Sequence, residues 1–257
     1  MANEQLTNAP LVEAILEVRW KLDEISQGIA LDPNYKIIVG RLYDRLIGEY
    51  PYHEPLPTAT MPDEMVPYAV QHRFRSSKDK WPLIQIGPGI LTLNASKEYK
   101  WDDFCLRGKA LLDRFYEIYP KPKNDIKITN IQLHYIDAIK FNYKENDPLV
   151  FITDNLKLKL EVSQDLFENT SINKTPNGLT AFFAFPIDKP KASLTLRIGT
   201  GISNKEDAIV WETIVQTEAD NCPAMPDEFE GWFSSAHEIT HNLFFHMIKG
   251  PLQEQFK

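Results

Sequence analysis

The sequence predicts an α+β fold: a curved antiparallel sheet with helices on one face, built from strand-helix-strands-helix units over 1–125 and 126–257 that share one compact domain. Three observations carry this. Apolar residues alternate with polar ones in several runs, as in strands with one side on a core. Amphipathic helical patterns fall between those runs. The order strand, helix, strands, helix starts at 11 and again at 128. No residue-level identity links the halves, so a plain α+β arrangement without duplication accounts for the same elements.

Taken in order, "LVEAILEVRW" sets Leu11, Glu13, Ile15, Glu17 and Arg19 against Val12, Ala14, Leu16, Val18 and Trp20, which predicts a strand with one continuously apolar face. In "NYKIIVGRLYDRLIGEYP", Ile38, Leu42, Leu46 and Tyr50 recur at helical spacing until Pro51 stops them. Prolines through residues 51–67 forbid regular helix or central strand there, while Tyr52, Leu56 and Met65 predict an ordered surface excursion. Strands resume in "YAVQHRFRS" and "PLIQIGPGILTLNAS", with a tight turn or bulge at Gly87-Pro88-Gly89. "WDDFCLRGKALLDRFYEIYP" is a second helix, with Asp102 and Asp103 at its start and "PKPKND" at its end.

The second half opens with an alternating strand, "ITNIQLHYIDAIKF". Residues 148–168 begin as a helix at "PLVFITDNL" and turn strand-like at "LKLKLEV", so that segment stays open between the two. "GLTAFFAFPI", "ASLTLRIGTG" and "DAIVWETIVQTE" are strands, and a closing helix starts near Pro226-Asp227-Glu228.

Composition narrows the function classes. Apolar residues make up 43% and charged residues 25% of the 257, as in a soluble globular protein. No apolar run is long enough to cross a membrane. "MANEQLTNAPLVEA" lacks the basic region and apolar run of a secretory signal. Cys105 and Cys222, far apart and outside any C-x-x-C pattern, are expected as free thiols in the cytoplasm. The net charge of −8 disfavours nonspecific contact with phosphate backbones.

The motif with the most chemical content is His237-Glu238-x-x-His241 in "SSAHEITHNLFFHMI". Histidines four apart on a helix share a face and can share a zinc ion, with the glutamate as general base on a metal-bound water. A catalytic zinc needs a third protein ligand. The extended form fails at Phe244 and Met247, and the only later glutamate, Glu254, falls on a tail expected to fray. On the helical wheel, Phe229, Trp232, Phe233, Ala236, Thr240, Leu243, Phe244 and Met247 form a core stripe, and Glu238 points away from it. His237, His241, Phe245 and Ile248 then form a second face suited to a contact.

Other candidates are weaker. "IGPGILTLN" and "LRIGTGIS" have glycines but no complete phosphate-binding pattern. "QHRFRSSKDK" is the most basic stretch; an edge strand guarded by charge is its structural reading, and an anionic contact through Arg73 and Arg75 its functional one. His134 shares a face with Ile136, as a satisfied core histidine would.

The stretches "NAPLVEAILEVRW", "IGPGILTLNAS" followed by "YKWDDF", "QLHYIDAIKF" and "AHEITHNLFFHMI" resemble an uncharacterised, sporadically distributed prokaryotic protein family of similar length. The resemblance implies a soluble bacterial or archaeal protein with no established activity, patchily inherited as in mobile-element or phage-defence contexts. It also implies a histidine near His237 in the closing helix, with His241 particular to this chain.

The expected function is therefore a non-enzymatic binding or regulatory protein of the cytoplasm. It would use the sheet or the second face of the last helix to engage a protein partner, a second copy or a small ligand, with no cofactor or metal. The alternatives are a zinc-dependent hydrolase through His237, Glu238 and His241, and a nucleic-acid-associated defence component through the 72–80 stretch.

Overall fold

The computed structural model describes residues 6–26, 28–120 and 125–257. The expectations for residues 1–5 and for most of "PKPKND" lie outside the described residues.

In chain order the elements are β1 (Leu11–Trp20), β2 (Asp23–Ser26), β3 (Ile29–Leu31), α1 (Tyr35–Leu46), β4 (Tyr52–Pro55), β5 (His72–Arg75), β6 (Leu83–Gly87), β7 (Ile90–Ala95) and α2 (Trp101–Ile118). They continue with β8 (Ile128–Lys140), α3 (Pro148–Asn155), β9 (Thr180–Ile187), β10 (Ala192–Ser203), β11 (Glu206–Glu218), α4 (Phe229–Ile248) and α5 (Pro251–Phe256). Nine strands form one open antiparallel sheet, ordered β4-β5-β6-β7-β1-β8-β11-β10-β9. It runs across both halves, with β1 and β8 side by side near its middle. β2 and β3 form a separate small hairpin.

Alternation in β1 places Ala14, Leu16, Val18 and Trp20 in one buried cluster. Ile38, Leu42 and Leu46 of α1, Phe104, Leu111 and Phe115 of α2, and Phe229, Trp232, Phe233 and Ala236 of α4 join them there. These are helical spacings closing on a strand spacing. A second cluster joins Phe141, Ile152 and Leu156 to Leu196, Ile198, Ile209, Trp211, Met247, Ile248, Leu252 and Phe256. α4 spans both clusters, and a stretch of its middle turns belongs fully to neither.

The other face of the sheet is polar and internally bonded. Asn94 donates to Glu13 Oε1 at 2.7 Å and Thr92 donates to Asn94 Oδ1 at 2.6 Å. Arg19 pairs with Glu17 at 2.6 Å, and His134 meets Glu212 at 3.0 Å. His134 is thus satisfied by a carboxylate on this polar face.

Three sequence expectations need correction, and one segment left open is resolved. The stretch around Arg73 and Arg75 is not an edge: β5 lies between β4 and β6, and the proline-containing β4 takes the edge. The "LKLKLEV" run forms no strand. Leu156 is buried in the second cluster and Leu158 and Leu160 pack against it, so the alternation serves packing without a ladder partner. The tail expected to fray is helix α5; Leu252 and Phe256 are buried, and the Phe256 carbonyl accepts from Asn8 N–H at 2.9 Å. Finally, strict alternation in β1 stops at Val12. The register pairs Leu11 with Asp137 but Glu13 with Ile136, a bulge that leaves Val12 37% exposed. Leu11 is thereby carried to the opposite face from Glu13.

Candidate functional site

That bulge opens onto a cavity of about 770 Å³. The middle of α4 forms one wall, with His237, Thr240, His241, Phe244 and Phe245 at helical spacing. β8 contributes Tyr135 and Asp137, β11 contributes Thr213, and β1 contributes Leu11. The segment entering α2 supplies Tyr99 and Trp101, with Lys97, Glu98, Lys100 and Asp103 towards its rim.

The aromatic wall is ordered by stacking. The Trp101 ring lies on His237 with centroids 3.7 Å apart and planes within 6°. His241 follows at 5.4 Å from His237, and Phe245 at 4.7 Å from His241. Three polar groups are tied into a chain: the Tyr99 and Tyr135 hydroxyls are 2.7 Å apart, and the Tyr135 hydroxyl is 3.0 Å from His237 Nδ1. Burial, with a smaller contribution from His241, pushes the His237 pKa down to about 3, so the imidazole is neutral at physiological pH. Burial pushes both tyrosines above the ordinary phenol range.

Asp137 differs from its neighbours. It is 4% exposed, and its carboxyl makes no hydrogen bond or ion pair with any described residue. Burial alone raises its pKa to about 8, so at pH 7 the carboxyl is mostly protonated.

Of the residues singled out in the sequence, His237, His241 and Phe245 line this cavity. Ile248 continues their side of α4 about one turn beyond Phe245 but does not line the cavity: it is fully buried in the second core cluster. Arg73 and Arg75 lie elsewhere, on β5. Arg73 contacts Glu54 and Gln85 at 3.2 Å, and Arg75 donates to the Lys80 carbonyl at 2.9 Å and lies over the Trp81 ring. Glu238 is exposed, and among the described residues no group of three or more His, Cys, Asp or Glu side chains is placed to hold a metal ion. Cys105 and Cys222 are both free thiols.

Sequence reasoning missed Asp137, Tyr135, Tyr99, Trp101 and Thr213 as site residues. One signal was present: Ile131, Leu133, Tyr135 and Asp137 share a strand face, so an acid follows three core positions. No protein-family model matches the chain, and no curated protein matches it.

Proposed function

We propose that this is a non-enzymatic binding protein whose cavity takes a small organic ligand. The observation that carries the reading is the cavity itself: about 770 Å³, walled by aromatic rings, with a buried acid among its lining that has no partner among the described residues. Small-molecule sites fall in this size range and combine apolar walls with a few placed polar groups. Binding accounts for the polar groups better than catalysis does. A general acid or base works best with a pKa near the operating pH, and His237 and Tyr135 are displaced from it in opposite directions. Asp137 is nearer that range, but it contacts no nucleophile among the described residues.

Fragment screening by protein-observed NMR tests this. Aromatic fragments should shift the Trp101 indole signal, and Leu11→Trp, which fills the cavity beside the bulge, should abolish the shifts. A screen with no hits at the Trp101 indole overturns the reading.

The finer architecture belongs to the same proposal: β1–α1–strands–α2 and β8–α3–strands–α4 are two copies of one curved unit, with helices on a common face. Membership of the uncharacterised prokaryotic family, with its cytoplasmic and phage-defence associations, belongs there too. A second contact is favoured by β9, an edge strand with Phe182 65% and Phe185 48% exposed. Self-association or a protein partner through this edge would be lost in Phe182→Asp with Phe185→Asp; a strict monomer by light scattering before mutation sinks the self-association form.

A further inference from the structure

We propose that the cavity is selective for an organic cation, an amine or other nitrogen cation on an apolar body, whose charged group docks against the Asp137 carboxyl. This rests on the small-ligand reading above and names its ligand class.

The argument runs through which polar groups are already used. The Tyr99 and Tyr135 hydroxyls and His237 Nδ1 are already engaged with one another in a continuous chain. Asp137 is at least nine-tenths buried, lines the cavity and has no partner among the described residues. A buried carboxyl without partners is costly, and the species that removes the cost best is a cation placed against it. The rings around the space fit the same guest. Tyr99, Trp101, Phe244 and Phe245 present π faces or edges to the cavity, and cations bind aromatic faces well when desolvated.

The charges facing Asp137 leave that role open. On its own strand, Tyr135 is a neutral phenol held above its usual range. From α4, His237 is held neutral by burial and His241 stands beside it. From the segment entering α2, Tyr99 is likewise neutral; Lys97, Glu98 and Lys100 also line the cavity, and Asp103 beside them pairs with Arg107 at 2.7 Å. Leu11 of β1 and Thr213 of β11 carry no charge. No described cation neutralises the acid from inside.

An incoming ammonium would ionise Asp137 and release its proton to solvent. Binding should therefore strengthen as pH rises towards the carboxyl's own midpoint, about tenfold between about pH 6.5 and about pH 7.5.

Isothermal titration calorimetry on the full chain, with 4-phenylbutylamine, its neutral counterpart 4-phenylbutanol and the anion 4-phenylbutyrate, tests this. The amine should bind at least tenfold tighter than the alcohol or the acid at neutral pH. Its heat should depend on the buffer in the way that release of about one proton requires. Asp137→Asn should cost the amine at least tenfold and leave the alcohol unchanged or tighter. His241→Gln should keep the pH slope, which separates Asp137 from the other group that could titrate nearby. If the alcohol or the acid binds as tightly as the amine, or the amine ignores Asp137→Asn, the cation assignment falls while the cavity reading stands. If His241→Gln removes the slope, Asp137 is not the responsible group. If none of the three binds, both readings fall.

Discussion

Replacing Asp137 by asparagine keeps the side chain's shape and removes its ability to ionise, so the variant isolates what the buried acid costs the empty protein. In the unfolded chain the carboxyl titrates near its ordinary value of 3.8; in the folded chain burial moves it to about 8. Between those values the folded state holds a proton that the unfolded state has lost. The sign follows: the folded pKa is raised, so this contribution to stability is full below the unfolded value and is lost as pH rises towards the folded one. At 1.36 kcal/mol per pH unit, the penalty at pH 7 is about 4 kcal/mol and close to zero at pH 4. Asparagine leaves its own buried amide without a partner, an offset of about 1–3 kcal/mol that does not change with pH. The slope is therefore the signal. Urea denaturation of wild type and Asp137→Asn between pH 4 and 8, followed by tryptophan fluorescence, should show the variant gaining on the wild type by roughly 1 kcal/mol per pH unit. A difference independent of pH would refute the argument. It would mean that the carboxyl is solvated or paired in the folded protein.

The neutral His237 has the opposite sign. Its folded pKa is lowered to about 3, so stability is full above the ordinary value of 6.5 and falls as pH drops, by at most about 2 kcal/mol at pH 5. His237→Phe, which preserves a ring against Trp101, should flatten the wild-type dependence of urea midpoints between pH 7 and 5; an unchanged slope would assign it elsewhere. Gly87→Ala should destabilise by about 3 kcal/mol or more, since its Cβ would lie 1.9 Å from the Ala69 carbonyl oxygen. Gly231→Ala in α4 meets nothing within 4 Å and should gain up to about 1 kcal/mol. Phe256→Ala should cost about 3–5 kcal/mol in the same denaturation assay, because α5 buries this ring in the second cluster; a loss below about 1 kcal/mol would restore a frayed tail.

The elements were legible wherever a side-chain period met a core of matching geometry. Ala14 to Trp20, Ile38 to Leu46 and the Phe229 to Met247 stripe all follow from period alone, because burial acts on one face of a strand or one side of a helix. Where the period had no partner it left the reading open or misled. Leu156 to Leu160 alternates like a strand yet packs as an irregular segment, because a ladder needs a neighbouring backbone that the local sequence does not encode. Arg73 and Arg75 read as a guarded edge because charge is local information and strand order is not. The C-terminal residues read as a fraying tail because helix propensity over so short a stretch is weak without the pocket that Leu252 and Phe256 fill.

The same division holds at the site. By itself the sequence determined that His237, His241 and Phe245 lie together on one side of the closing helix, since spacing along one helix needs no tertiary knowledge. The tertiary structure alone decided that this side faces Tyr135 and Asp137 from β8, Trp101 from α2 and Leu11 from β1. A one-residue bulge at Val12 and the pairing of β1 with β8 brought them together. Asp137 became unusual through surroundings drawn from distant parts of the chain, and desolvation is a property of those surroundings, which no single stretch of sequence displays.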